Sequence, residues 1–128
     1  MNRYLLIDDD DIITKIHPVI IRRVDPDCQI DVCATGPEAL DFLKHLKGAG
    51  DPPPDYIFLD INMPLMSGFE LLDQFPDELK EYLNNSKIIL LSSSIDPGDV
   101  NKARNYKNVK EFASKPLSID YLNNLING

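Results

Sequence analysis

The chain has 128 residues, a length typical of one domain, and its 43% hydrophobic content is that of an ordinary globular protein. The formal net charge of −8 at pH 7 argues against sequence-independent binding to nucleic acid or to an anionic membrane, and favours a partner protein or a small anion. No segment reaches the roughly 18 to 20 apolar residues that cross a bilayer. Met1 leads into strand-like sequence without a signal peptide, so we expect a cytoplasmic protein with no membrane insertion.

Short apolar runs alternate with segments of helical period along the whole chain, which is the pattern of a parallel sheet covered on both faces. The first, third and fourth runs are nearly continuous in apolar residues, as expected of central strands, whereas the second alternates like an edge strand. The five predicted strands are residues 3–8, 28–34, 56–60, 87–92 and 109–113.

Five helices are predicted, one after each strand, with recognisable start signals. The first covers about residues 11–24 and is interrupted by Pro18, which should kink it. The third continues to Pro76, which breaks or restarts it. The other starts are Thr35 and Ser67, each with a glutamate at capping-box spacing, then Asp96 before Pro97, and Ser118. Predicted buried stripes are Ile13, Ile16, Ile20 and Val24; Ala39, Phe42, Leu43 and Leu46; and Ile119, Leu122, Leu125 and Ile126.

Strand followed by helix, repeated five times with right-handed crossovers, predicts an α/β fold with a doubly wound five-stranded parallel sheet. The flavodoxin-like strand order 2-1-3-4-5 places the first and third strands side by side. Ligands of such sheets bind at the carboxyl ends of the strands, near the switch point. The Gly- and Pro-rich loop of residues 47–55 is expected on the opposite side as a connector.

The cysteines and histidines do not have the spacing of a metal site. Cys28 and Cys33 are separated by five positions, an odd number that points them to opposite faces of a strand, so we expect reduced thiols rather than a disulfide. His17 and His45 are predicted to be helix-surface residues.

Acidic residues follow two of the predicted central strands. Asp8 to Asp11 come after the first strand, and Asp60 closes the third. Carboxylates brought within roughly 4 Å repel by about 4 kcal/mol at an effective dielectric near 20, so a cation is required. Oxygen-only ligands favour magnesium or calcium. Asp10 and Asp11 are expected instead to cap the first helix and to match its dipole.

A hydroxyl and an ammonium group are predicted at the same rim, because the serine run 92–94 comes after the apolar run 88–91 of the fourth strand and Lys115 follows the fifth strand. Acids, hydroxyl and ammonium together suit phosphoryl transfer to a carboxylate, since the transferred group needs a metal and fixed donors around its charged oxygens. Asp60 would be the nucleophile and would form an aspartyl phosphate.

The chain resembles the response regulator receiver domain over essentially its full length. Four motifs carry the resemblance, in order and at strand ends: Ile7-Asp8-Asp9, Leu59-Asp60-Ile61-Asn62-Met63-Pro64, Leu91-Ser92-Ser93 and Ser114-Lys115-Pro116. No single motif is specific, but the four together are.

The resemblance implies that Asp60 is the phosphoacceptor and that Mg²⁺ is the cofactor. Asp8, Asp9, Asp60 and the main-chain carbonyl of Asn62 would hold the ion. Ser92 and Lys115 would bind phosphoryl oxygens, with a cis peptide bond between Lys115 and Pro116. Strand alternation alone does not separate Ser92 from Ser93 and Ser94; we assign Ser92 as the hydroxyl and Ser93 as the small neighbour that gives access to Asp60.

Phe112 occupies the position of an aromatic residue whose placement is coupled to phosphorylation in the family. Ser92 would move toward the phosphoryl group, and the Phe112 ring would turn inward to repack the fourth helix and fifth strand. A downstream protein would bind to the surface of the fourth helix, fifth strand and fifth helix. The alternative is an ordinary core phenylalanine.

These features predict a single-domain response regulator without an output domain, since the chain ends at Gly128 soon after the fifth helix. Its expected partners are a histidine kinase or a histidine phosphotransfer protein, and an unidentified downstream protein, with self-catalysed phosphotransfer rather than enzymatic turnover. Departures from the common family pattern are Pro18, Pro76, serine at position 92 and the long loop of residues 47–55. Two alternatives are a phosphorylation-independent adaptor and a phosphatase of the haloacid dehalogenase type, which has an acid where this chain has Asn62.

Overall fold

The computed structural model describes all 128 residues and contains one five-stranded sheet with parallel pairing throughout. The strand order is β2-β1-β3-β4-β5, which confirms the predicted fold class and topology. Every strand lies within one residue of its predicted bounds. The strands are β1 Arg3–Ile7, β2 Gln29–Cys33, β3 Tyr56–Asp60, β4 Lys87–Ser92 and β5 Val109–Ser114.

Six helices connect and flank these strands, one more than the sequence pattern predicts. The third predicted helix ends at Asp73, and a separate helix starts after Pro76, because proline lacks the N–H that a continuing helix would need. The predicted fourth and fifth helices are therefore α5 and α6. The helices are α1 Asp11–Val24, α2 Gly36–Gly48, α3 Gly68–Asp73, α4 Asp77–Tyr82, α5 Pro97–Ala103 and α6 Ile119–Asn127.

The predicted helix starts are confirmed by side chains that accept hydrogen bonds from first-turn N–H groups. Ser67 and Glu70 form a complete capping box at α3. Thr35 caps α2, but Glu38 accepts from the N–H of Ala34 instead of completing the box. Asp10, Asp96 and Ser118 cap α1, α5 and α6. Pro18 lies inside α1, which continues through it to Val24.

Two hydrophobic clusters lie on opposite faces of the sheet, and their shared strands position the functional site. The larger cluster packs α2 to α5 on one face, and the smaller packs α1 and α6 on the other. All five residues of β3 are buried, as expected for a central strand. In the register of β1 and β3, Ile7 pairs with Leu59, so the carboxyl ends of these strands are level.

Two predicted buried stripes are partly wrong. In α1 the buried residues are His17 and Ile21, whereas Ile16 is 40% exposed. In α6 Leu122 is buried, but Ile119 is 44% exposed. The reason is that apolar residues spaced three and four apart fit two neighbouring rotations of a helix, and only packing against the sheet selects one. The other predicted stripe residues are buried or half-buried.

Both cysteines are free, as predicted, and they lie on opposite faces of the sheet. Cys33 is part of the larger cluster, and Cys28 packs against the smaller one. Burial raises the pKa of both thiols, that of Cys33 to about 12. None of the six helices has the combination of length and hydropathy that spanning a bilayer requires.

Candidate functional site

Three carboxylates meet at the carboxyl ends of β1 and β3, as the strand-end argument predicts. Asp8 follows β1, and Asp60 is the last residue of β3. Oxygen atoms of Asp8, Asp9 and Asp60 all lie within 4.8 Å of one another. Asp8 and Asp60 are buried, and Asp9 is exposed. Asp10 is outside this group, because its side chain caps α1.

Lys115 reaches this group from the end of β5. Its Nζ atom lies 3.0 Å from Asp8 Oδ2 and 3.2 Å from Asp60 Oδ2. One ammonium against three carboxylates leaves excess negative charge in a partly buried site. A hard divalent cation with oxygen ligands would balance that charge, so the residues present fit Mg²⁺. The main chain of Asn62 lies beside the group, since its N–H donates to Asp60 Oδ1 at 3.1 Å.

The pKa values in this group follow from burial and charge. The pKa of Asp60 is raised to about 6: burial is the largest cause and the charge of Asp8 adds to it, while the N–H of Asn62 and the contact with Lys115 limit the rise. Burial alone would lower the pKa of Lys115, but its contacts with Asp8 and Asp60 outweigh this effect and raise the pKa. Lys115 is therefore protonated at neutral pH, and Asp60 is mostly ionised and able to act as a nucleophile.

The hydroxyl at the end of β4 belongs to Ser92, which is fully buried, whereas Ser93 is exposed. Ser92 Oγ donates to the carbonyl of Ser94 at 2.7 Å and accepts from the Ser94 N–H at 3.2 Å. The side-chain amide of Asn62 donates to Ser92 Oγ at 3.5 Å. Ser92 thus lies next to Asn62, which contacts Asp60. The hydroxyl proton of Ser92 is directed to the carbonyl of Ser94, in the loop after β4.

The segment after β5 has the predicted backbone geometry, since the Lys115–Pro116 peptide bond is cis. The N–H of Lys115 donates to the carbonyl of Ser92 at 2.9 Å, which joins the ends of β4 and β5. Phe112 pairs with Leu90 in the sheet and is half-buried against the larger cluster. It lines a pocket of about 170 Å³ with Val100 and Ala103 of α5.

The prediction of a surface position for His17 is wrong, because this residue is buried in α1 and contacts the site segment. His17 Nε2 accepts a hydrogen bond from the N–H of Leu117 at 3.0 Å. Burial lowers the pKa of the imidazole to about 4; the charge of Lys115 acts in the same direction, and Asp8 and Asp10 oppose it. The spacing of four residues between His17 and Ile21 was the available signal, since it places both on one helix face. His45 is exposed, as predicted.

Gly68 also helps to position the site, and it was not predicted as a functional residue. A Cβ atom at this position would lie 2.8 Å from the carbonyl oxygen of Asp60 and 3.0 Å from Ile61 Cα. Glycine therefore allows α3 to start directly against the end of β3. A glycine immediately after the capping residue Ser67 was the sequence signal for this close approach.

The sequence matches the response regulator receiver domain family over residues 4–127, and the chain belongs to this family. It is similar to the probable methanogenesis regulatory protein FilR2 of Methanothrix harundinacea, with 29% identity over 92% of this chain and 74% of that protein. It is 35% identical to protein-glutamate methylesterase/protein-glutamine glutaminase 1 of Methanospirillum hungatei over 93% of this chain, but it spans only 32% of that protein.

Among solved structures, a two-component response regulator from Cytophaga hutchinsonii superimposes with a TM-score of 0.90 at 41% identity, covering 99% of this chain and 95% of that one. Chemotaxis response regulator CheY4 of Vibrio cholerae has a TM-score of 0.76 at 22% identity, with coverage of 99% and 97%, and supports the fold alone. The resemblance found in the sequence is thereby confirmed. The chain is a receiver domain of two-component signalling, and this assignment favours it over the haloacid dehalogenase alternative.

Proposed function

We propose that this chain is a phosphorylation switch in which Asp60 accepts a phosphoryl group from a phosphohistidine. The donor would be a histidine kinase or a histidine phosphotransfer protein, which implies a cytoplasmic location. The observation that carries the proposal is the setting of the Asp60 carboxylate. It is buried at the end of a central strand, with Oδ1 bonded to the Asn62 N–H and Oδ2 at 3.2 Å from Lys115 Nζ.

In the proposed transfer, a carboxylate oxygen of Asp60 attacks phosphorus and forms a new P–O bond. The P–N bond to the donor imidazole breaks, and the imidazole nitrogen keeps the electron pair and takes a proton. The fixed positive charge of Lys115 stabilises the charge on one phosphoryl oxygen. Ser92 Oγ would donate to another after leaving the Ser94 carbonyl.

Asp8, Asp9, Asp60 and the carbonyl of Asn62 would hold Mg²⁺ in this site. When bound, the ion supplies positive charge that balances the carboxylates and the oxygens of the phosphoryl group. The ammonium group of Lys115, already paired with Asp8 and Asp60, would then be available to the phosphoryl oxygens.

The signal would leave the site through α5, β5 and α6, to which a downstream protein would bind noncovalently. Ser92 pairs with Ser114 in the sheet, so a movement at the end of β4 is adjacent to β5. Phe112 on β5 lines a pocket with residues of α5, and the hydroxyl of Tyr121 on α6 donates to Glu111 on β5 at 2.5 Å. We assign Ser92 and Phe112 as the switch pair on the basis of these positions.

A small phosphodonor such as acetyl phosphate tests the proposal directly. With Mg²⁺, wild type should gain the mass of one phosphoryl group, and Asp60→Asn should gain none because the nucleophilic oxygen is lost. Asp41→Asn is the matched control, since Asp41 is an exposed acid on α2 that is not part of the acidic group. Phosphoryl labelling that persists in Asp60→Asn would contradict the assignment of the acceptor.

A titration with Mg²⁺ separates the switch from the adaptor alternative. A switch should show shifts of the amide NMR signals at Asp8, Asp9 and Asp60, because the ion would bind their carboxylates. An adaptor that has the fold without the chemistry should show no saturable response at these three residues.

A further inference from the structure

The short segment that carries Lys115 is anchored by two hydrogen bonds that its main-chain N–H groups donate. The N–H of Lys115 donates to the carbonyl of Ser92 at 2.9 Å. Pro116 has no N–H to donate. The N–H of Leu117 donates to His17 Nε2 at 3.0 Å, across 100 positions of sequence. Since Leu117 is buried, the imidazole of His17 is the acceptor that replaces water for this N–H.

A histidine is an unusual choice for the position that His17 occupies. The side chain is 2% exposed, and Ile21, which shares its helix face, is apolar. Burying a polar ring is unfavourable unless its nitrogen atoms are hydrogen-bonded, so packing alone would favour an aliphatic residue here. Because Nε2 accepts a hydrogen bond, the ring is neutral and carries its proton on Nδ1. The histidine therefore supplies an acceptor that an aliphatic side chain lacks.

The contact bears on the reaction because Lys115 has a long and flexible side chain. Its Nζ atom lies 3.0 Å from Asp8 Oδ2 and 3.2 Å from Asp60 Oδ2, and the position of the main chain sets where this flexible side chain begins. Ser92 anchors the segment before Pro116, and His17 anchors it after Pro116. Loss of either anchor would let Lys115 drift from the phosphoryl position.

We propose that His17 is a positioning residue, which through the N–H of Leu117 fixes the Lys115 ammonium beside Asp60 for phosphoryl acceptance. This inference rests on the proposed function of Asp60. In this proposal His17 takes no direct part in phosphoryl transfer or in metal binding. It acts on the segment that carries Lys115.

Three variants test the role in the full chain. His17→Leu removes the acceptor, His17→Gln restores an acceptor oxygen at a similar distance from the backbone, and Ile21→Ala removes packing one turn along the same face. The readouts are the labelling rate at saturating acetyl phosphate, its dependence on acetyl phosphate concentration, and the affinity for Mg²⁺. We expect His17→Leu to lower the saturated rate by about tenfold to a hundredfold, as a displaced catalytic group does. His17→Gln should recover most of the rate, and Ile21→Ala should keep it.

Affinity for Mg²⁺ should be the same in all three variants, since Asp8, Asp9 and Asp60 are unchanged. A wild-type rate in His17→Leu, or an equal loss in Ile21→Ala, would overturn the inference. If His17→Leu does not fold, His17→Asn replaces it, because asparagine has the same amide as glutamine on a shorter side chain. Equal rates in His17→Asn and His17→Gln would then overturn the inference.

Amide hydrogen exchange at Leu117 provides a readout that needs no phosphorylation. Protection should be lost in His17→Leu and kept in His17→Gln. Unchanged protection in His17→Leu would refute the positioning role even if wild type is labelled normally. If wild type is not labelled while Leu117 loses protection in His17→Leu, the proposed function fails and the hydrogen bond itself stands.

Discussion

At the scale of single residues, the site depends on a carboxylate that is buried and yet remains ionised at neutral pH. Burial raises the pKa of Asp60 to about 6, and the N–H of Asn62 and the charge of Lys115 keep it from rising further. In the proposed function the ionised form is the nucleophile, so these two contacts would preserve its reactivity. The pKa that remains raised means that ionised Asp60 destabilises the folded protein electrostatically. This cost should be measurable as a dependence of stability on pH.

We predict that Asp60→Asn stabilises the metal-free protein at neutral pH. The pKa of Asp60 is about 6 in the folded chain and 3.8 in a model carboxyl group. The stabilising effect of a raised pKa is complete below the ordinary pKa and is lost as pH rises through the folded value. At neutral pH the ionised carboxylate therefore costs on the order of 2 to 3 kcal/mol, at about 1.4 kcal/mol per pKa unit.

The measurement is urea unfolding of wild type and Asp60→Asn with a chelator present. The stability difference in favour of Asp60→Asn should be largest at about pH 7 and should shrink toward about pH 4, where Asp60 is increasingly protonated. Other carboxyl groups titrate in both proteins, so their effects cancel in the difference. A difference that does not change with pH would contradict the raised pKa of Asp60.

At the scale of elements, the site requires that α3 start directly against the end of β3. The N–H of Gly68 donates to the carbonyl of Ile61 at 3.1 Å, and the capping box of Ser67 and Glu70 sets the direction of the helix. This packing leaves no room for a Cβ atom at Gly68. The backbone of the loop between β3 and α3 is therefore tightly packed next to Asp60.

We predict that Gly68→Ala destabilises the protein by about 1 to 3 kcal/mol, because the new methyl group forces the helix away from the carbonyl of Asp60. Gly48→Ala is the matched control: it makes the same chemical change in α2, where no atom lies within 4 Å of the new Cβ. That control should be neutral or stabilising by up to about 1 kcal/mol. Denaturant unfolding measures both, and equal effects at the two positions would exclude a steric cause.

At the scale of the whole molecule, the sheet connects the acidic site with the surface formed by α5, β5 and α6. Ser92 and Lys115 are joined through a main-chain hydrogen bond, and β5, which ends at Ser114 next to Lys115, contains Phe112. In the proposed switch, a change at the end of β4 would therefore reach β5 without passing through a loop. Coupling of this kind requires two packing arrangements of the same elements.

We predict that beryllofluoride with Mg²⁺, a mimic of the phosphoryl group, shifts amide NMR signals in α5, β5 and α6 of wild type. Ser92→Ala should still bind the mimic through Asp60 and Lys115 but should show smaller shifts at Phe112, since the moving hydroxyl is absent. Signals of α2 serve as the internal control, because this helix packs away from β5. Shifts at Phe112 that are as large in Ser92→Ala as in wild type would contradict the switch pair.

The sequence predicted the strands, their order and the gathering of the acids for one physical reason. Buried parallel strands must be apolar along their length, so their ends are marked by the first polar residues, and those ends meet at one edge of the sheet. Asp8, Asp60, Lys115 and the serine run 92–94 were found in this way, and Ser92 was chosen from that run with the family resemblance. The caps at Thr35, Ser67, Asp96 and Ser118 were predictable because they depend on neighbours only a few positions away.

Contacts between distant parts of the chain were determined only by the tertiary structure. The rotation of α1 buries His17 and exposes Ile16, and it is set by packing against the sheet rather than by helical period. The burial of Ser92, the exposure of Ser93 and the partner of His17 at Leu117 also depend on residues far away in sequence. Local patterns determine where strands and helices begin, whereas the partners of a buried polar group are determined by the elements that pack around it.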